Sequence, residues 1–300
     1  MTEPRDPELL RLPVRGGDLA VLHWPAARDG APVVLLLHGI TGNGMAWARV
    51  AAALAGDFDV HAPDLRGRAA SSALPGPYGI EGHAEDAVAL LDALGVDRAV
   101  LVGHSMGGFV AAMVAAGVGR DRVRGLVLVD GGLRFPEPPG QDVETKLAAF
   151  LGPTVDRLGM TFPDLAAVRA FWAQHPAVGP WVDVPSVAAY LARDVAEGEG
   201  GLRSTVVPEA VLVDGGDFLG NERVLEAAAE LPLPATLLWA TRGLQDQTPG
   251  VYDRARLEGL GAEAAGISAR EVPGTNHYSI LWADEGVAEI ADAVRAAAAR

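Results

Sequence analysis

Cysteine is missing from all 300 residues, which excludes disulfides, thiolate metal sites and a cysteine nucleophile. Lysine occurs once, at Lys146, and basic residues number 24 against 39 acidic ones. The formal charge of −15, with no Lys/Arg cluster, speaks against nucleic acid or an anionic membrane as partner. It also disfavours strongly anionic substrates. No apolar run approaches the ~18 residues needed to span a bilayer. The stretch Met1 to Pro7 is charged and Pro-containing, without the apolar core of a signal peptide. A soluble, cytoplasmic protein is expected. The seven histidines are scattered without ligand spacing, and the Gly-rich run Gly39 to Gly44 lacks the lysine of a nucleotide loop. No metal and no cofactor are expected.

What is present is apolar content of 49%, enough for a large core. Arg11 to Val14 and Leu19 to Trp24 read as an opening hairpin around Gly16-Gly17-Asp18. Pro32 to Leu37 is a continuous apolar run, as a strand buried on both faces requires. Helical spacing at Met45 to Ala55 and His83 to Leu94 alternates with strands at Phe58 to Ala62, Ala99 to Val102 and Val123 to Val129. The fold class is therefore α/β, with a mostly parallel central sheet flanked by helices. From Gly131 to Pro234 the rhythm breaks. Helical patterns appear there at Val143 to Phe150, Asp164 to Gln174, Ser186 to Glu197 and Asn221 to Glu230, without buried-strand runs. The expected organisation is a core of residues 1–130 and 235–300, with a helical cap inserted at 131–234. The core resumes with Ala235 to Ala240, a helix near Tyr252 to Leu260, a strand at Ile267 to Val272 and a final helix from Asp284.

The most informative run is Gly103-His104-Ser105-Met106-Gly107, a G-x-S-x-G pattern between a strand and a small-residue helix. A serine at such a junction is forced into a tight turn that lifts its hydroxyl above the sheet and aims helical N–H groups at the reaction centre. Ser105 is the expected nucleophile. It needs a base, and His277, just past a late strand, lies where an open α/β sheet gathers reactive groups.

With His38-Gly39-Ile40, Asp64-Leu65-Arg66-Gly67-Arg68, the elbow, the long insert and the late His277, the chain resembles the α/β-hydrolase superfamily over nearly its whole length. The resemblance implies an oxyanion hole formed by the N–H groups of Ile40 and Met106. It leaves His38 a structural role, Asp64 the role of anchoring its Arg-rich loop, and Ser71 and Ser72 no role in catalysis. Ala69 departs from the family, which has glycine there. The side chain of His104 should point away from the attacking oxygen. The triad acid has two candidates. Most members carry it just after the strand at Ala235 to Ala240, but Gly243 holds that place and the nearest carboxylate is Asp246. Asp130, directly after the preceding core strand, is preferred and Asp246 is the alternative. Trp172, Trp181, Phe162, Phe171 and Tyr190 are candidates for the apolar walls, half or more of them expected to pack the cap instead. The implied activity is cofactor-independent serine hydrolysis of a neutral, hydrophobic small-molecule ester or lactone. A C–C bond hydrolase, a cofactor-free haloperoxidase and a non-catalytic ligand-binding relative are the alternatives.

Overall fold

The computed structural model describes residues 6–137 and 140–300. The core strands are β1 (Glu8–Val14), β2 (Gly17–Trp24), β3 (Val33–Leu37), β4 (Asp59–Pro63), β5 (Ala99–His104), β6 (Val123–Val129), β10 (Ala235–Arg242) and β11 (Ile267–Asn276). They form one eight-stranded sheet in the order β1-β2-β4-β3-β5-β6-β10-β11. β1 and β2 pair antiparallel with each other, as do β2 and β4; every other neighbour is parallel.

Burial explains this order. Every residue of β3 and β5 is buried, so the two most apolar strands occupy the centre, where helices cover both faces. Alternate side chains feed two separate clusters. Leu35, Leu37 and Leu101 join α2 (Ile80–Ala93) and α3 (Met106–Ala116) on one face. Val34, Leu36 and Val102 join α1 (Ala48–Leu54) and α11 (Asp284–Ala298) on the other. A Cβ at Gly103 would overlap the Gly107 carbonyl, and one at Gly107 would overlap the Leu37 carbonyl. The helix after the elbow thus lies directly on the backbone of its neighbours.

Between β6 and β10 lie α4 (Val143–Leu151), α5 (Pro153–Asp156), α6 (Leu165–Ala173), α7 (Pro185–Arg193), α8 (Pro208–Gly220) and α9 (Glu222–Glu226). Three short strands, β7 (Thr161–Phe162), β8 (Val195–Gly198) and β9 (Gly201–Ser204), form a small antiparallel sheet among them. These strands and α8 depart from the sequence reading. The strands are short and mostly exposed, so no apolar run marked them. The helix contains Gly215-Gly216, which reads as a break but lets Leu147 pack against the helix at Gly215. Apolar residues of this insert continue the core clusters: Leu147, Val211 and Phe218 join one, and Val168, Trp172 and Val187 the other. The chain closes with α10 (Arg254–Gly259), β11 and α11. Among the described residues no helix is long and apolar enough to cross a membrane.

Replacing Gly107 with alanine should destabilise the fold by at least about 3 kcal/mol, because the clashing partner is backbone and cannot give way. A urea titration should give a lower midpoint with an unchanged slope.

Candidate active site

All the candidate residues sit past the C-terminal ends of parallel strands. Ser105 follows β5, Asp130 follows β6, His277 follows β11 and Ile40 lies past β3. Ser105 has φ 54° and ψ −120°, a conformation costing on the order of 1–3 kcal/mol for a non-glycine residue. The chain is held there because the Ser105 N–H donates to the Val129 carbonyl (3.0 Å) and the Gly108 N–H donates to the Ser105 carbonyl (2.9 Å). Asp130 and Asp246 also have positive φ, at 44° and 59°. So does Ala69 at 43°.

The two candidate acids separate cleanly. Asp130 is fully buried. Its Oδ2 lies 2.6 Å from His277 Nδ1 and its Oδ1 accepts the Ala240 N–H at 3.0 Å. In sheet order β10 lies between β6 and β11, so the carboxylate reaches across an intervening strand and is steadied by it. Asp246 instead accepts from Asn276 Nδ2 (2.8 Å) and pairs with Arg242 (3.1 Å). It holds the residue before His277, not the imidazole. Asn276 in turn accepts the N–H groups of Tyr278 and Ser279, which shapes the turn carrying the histidine.

Ser105, His277, Gly39 and Ile40 line one cavity of about 30 Å³, walled by Leu151, Tyr190, Leu244, Tyr278, Leu281 and Trp282. That is room for about two water molecules. Of the five aromatic candidates for the walls, Tyr190 lines this space. Phe171 meets both Phe162 and Trp172 edge to face, and Trp181 packs on Trp282. A larger cavity of about 880 Å³ runs along β10, α10 and β11 and holds none of the candidate catalytic groups.

The donors beside Ser105 are fixed through their own peptide planes. The Gly39 carbonyl shares a planar peptide with the Ile40 N–H. It accepts from His38 Nδ1 (2.7 Å) and the Gly42 N–H (2.9 Å). His38 Nε2 accepts the Leu65 N–H at 2.9 Å, so the ring is neutral with its proton on Nδ1. Burial, opposed by the Gly39 carbonyl, takes His38 down to about 3. The Ser105 carbonyl, bonded to Gly108, fixes the Met106 N–H in the same way.

His104 lines the same cavity as Ser105, and its Nε2 donates to the His277 carbonyl at 2.8 Å. Burial, and then the neighbouring His277, hold it well below the usual histidine range. Asp64 accepts from Gly44 and, within its own loop, from Ala70. Its arginine partner is Arg193 of α7, not an arginine of the loop that it was expected to anchor. Arg66 is held by Asp86 instead, with bonds of 2.9 and 2.7 Å.

Three further groups were not among the candidate site residues. Arg68, wholly buried, donates from Nε to the Ile40 carbonyl (2.9 Å) and pairs with Asp214 of α8 (2.5 Å). Arg157, from the insert, donates to the Thr41 carbonyl (2.9 Å) and pairs with Asp194. Burial raises Asp194 despite that arginine. His175 lies beside Thr154 and Gln245, lowered to about 4 by burial and by Arg157.

A family model of the alpha/beta hydrolase fold matches residues 32–219. The chain belongs to this family. It is similar to the lipase LipV of Mycobacterium tuberculosis, with 35% identity over 156 residues, covering 52% of this chain and 54% of that protein. It is also similar to the N-formylmaleamate deformylase of Pseudomonas putida, with 35% identity over 144 residues, covering 47% and 53%. The chain spans about half or less of the length of the curated relatives it matches. Among solved structures, an E-2-(acetamidomethylene)succinate hydrolase superposes with a TM-score of 0.78 at 21% identity, covering 96% of this chain and 99% of that one. That likeness shows the same alpha/beta hydrolase fold.

The buried neutral histidines set a pH dependence. In the unfolded chain His38 takes up a proton below 6.5, whereas in the folded protein it does so only near 3. The unfolded state therefore binds more protons in this window, and stability falls as pH falls. From about pH 7 to about pH 5, His38 alone should withdraw about 2 kcal/mol. Urea midpoints measured across that range should drop, and His38→Gln should flatten the slope.

Proposed function

We propose that this chain is a serine hydrolase that cleaves carboxylic esters, lactones included, of neutral, hydrophobic small molecules. The observation that carries this reading is the 2.6 Å bond between Asp130 and His277 Nδ1, beside the cavity that also holds the strained Ser105. That bond keeps the proton on Nδ1 and leaves Nε2 as the base. His277 Nε2 then takes the proton of Ser105 as its oxygen attacks the carbonyl carbon. The N–H groups of Ile40 and Met106 receive the negative charge on the carbonyl oxygen, an effect worth about 100- to 1000-fold in rate per donor. As the tetrahedral adduct collapses, His277 gives its proton to the departing alkoxide and an acyl group remains on Ser105. Water, deprotonated by His277, attacks that acyl group and frees the serine with a carboxylic acid.

Apolar walls from Leu151, Leu244, Leu281 and Trp282 support an uncharged substrate, in keeping with a net charge of −15. The small cavity supports a short acyl chain over a long one. Relatives named as a lipase and a deformylase support a hydrolytic reaction and leave the scissile bond to experiment.

A fluorophosphonate probe should label the native protein, and Ser105→Ala should abolish labelling. Absence of labelling in the folded native protein would favour a binding role instead. In a series of p-nitrophenyl esters, turnover should be highest for acetate and fall with acyl length. Hydrolysis of formamides but of no ester in the series would replace the ester assignment with a C–N one.

Asp130→Asn should lower kcat by about three to four orders of magnitude through loss of the correct tautomer. Asp246→Asn should change it by less than about tenfold, because it acts through Asn276. The reverse ranking would move the acid to Asp246.

A further inference from the structure

The opposite end of the sheet carries a second cluster of histidines and carboxylates. His23 of β2 and His61 of β4 are directly paired across the antiparallel ladder. Asp59, two residues before His61 on β4, lies on the same face. Both rings turn their Nε2 atoms to this one carboxylate. His23 Nε2 is 2.8 Å from Oδ1 and His61 Nε2 is 2.8 Å from Oδ2. The rings stack with centroids 4.4 Å apart and planes within 6°. Donor atoms of the three residues all lie within 4.8 Å of one another. Asp59 starts β4, whereas the catalytic candidates follow strand C-terminal ends, so the cluster is remote from Ser105.

We propose that these three side chains bind one divalent transition-metal ion, with His23 Nε2, His61 Nε2 and the Asp59 carboxylate as ligands and water completing the shell. Two imidazoles and a carboxylate are a donor set suited to Zn²⁺, Ni²⁺ or Cu²⁺. Metal–donor distances of about 2.0–2.2 Å place such donors roughly 3.3–3.5 Å apart; because the rings now lie parallel, they tilt toward each other on binding so that both in-plane lone pairs meet one ion. Ligation needs each imidazole proton on Nδ1 instead of Nε2, a tautomer change that consumes and releases no proton. The Nδ1 atoms of both rings are buried and without a hydrogen-bond partner in the metal-free arrangement. In the new tautomer His23 Nδ1–H faces Glu8 Oε2, 3.5 Å away on β1, where a carboxylate orients a metal-bound histidine. A metal here would add a link between β2 and β4. Along the chain these residues have no ligand spacing. Strand pairing is what assembles them.

Chelator-stripped, dialysed protein titrated with Zn²⁺ against a chromophoric competitor tests the proposal. Native protein and Ser105→Ala should each bind one Zn²⁺ per chain at micromolar metal or below, with a rise in Tm. His23→Gln should abolish this binding, and Glu8→Gln should weaken it about tenfold. Co²⁺ in the native protein should give visible bands that His23→Gln lacks. Because the His23 side chain is 16% exposed against 2% for His61, His23→Gln decides the test even if His61→Gln fails to fold. No saturable binding by native protein overturns the proposal, and so does equal binding by His23→Gln. Fluorophosphonate labelling of Ser105 should be the same with and without Zn²⁺, so the two sites fail or stand separately.

Discussion

The carboxylate of Asp130 is the constraint around which the candidate site is arranged. It lies at the end of one strand, takes a hydrogen bond from the next, and grips an imidazole delivered by the strand beyond. A charge-assisted bond of this kind, wholly shielded from water, is stronger and more directional than an exposed one. It demands that the ends of β6, β10 and β11 be in register to within a fraction of an ångström. The register shift between Ala240 and Arg242 on β10 falls at the place where the carboxylate passes. The turn at Asn276, braced by Asp246 and by the His277 carbonyl bond to His104, brings the ring to meet it.

Two ion pairs and a hydrogen bond tie the insert to the same edge. Arg193 reaches Asp64, Arg157 reaches the Thr41 carbonyl, and Asp214 reaches Arg68. Such pairs gain little net stability once desolvation is counted, but removing one partner leaves an uncompensated charge. Their effect is to define one seating of the insert. Arg68 and Arg157 each bond a carbonyl in the Ile40-Thr41 segment, so the seating and the geometry beside the nucleophile are a single arrangement.

The parts legible in the sequence are those set by local chemistry. Continuous apolar runs gave the central strands, and Gly103 and Gly107 around Ser105 marked the elbow. The carboxylate at Asp130 was readable because it directly follows a buried strand. The remainder depends on what distant segments bring together. Arg68 belongs to a recognisable loop motif, but its partner Asp214 comes from α8, which was hidden by Gly215-Gly216. His104 gains its partner from residue 277. Trp282 and Tyr278 are cavity walls only because the final helix begins where it does. Asp64 was recognised as an anchor, but Arg193 comes from 129 residues away, a pairing that no local pattern encodes.

The insert's apolar side chains merge with the two clusters that flank the sheet. It therefore has no self-contained interior to carry elsewhere. Grafting this segment onto another member of the family, or exchanging it for a foreign lid, would tear open the host as well.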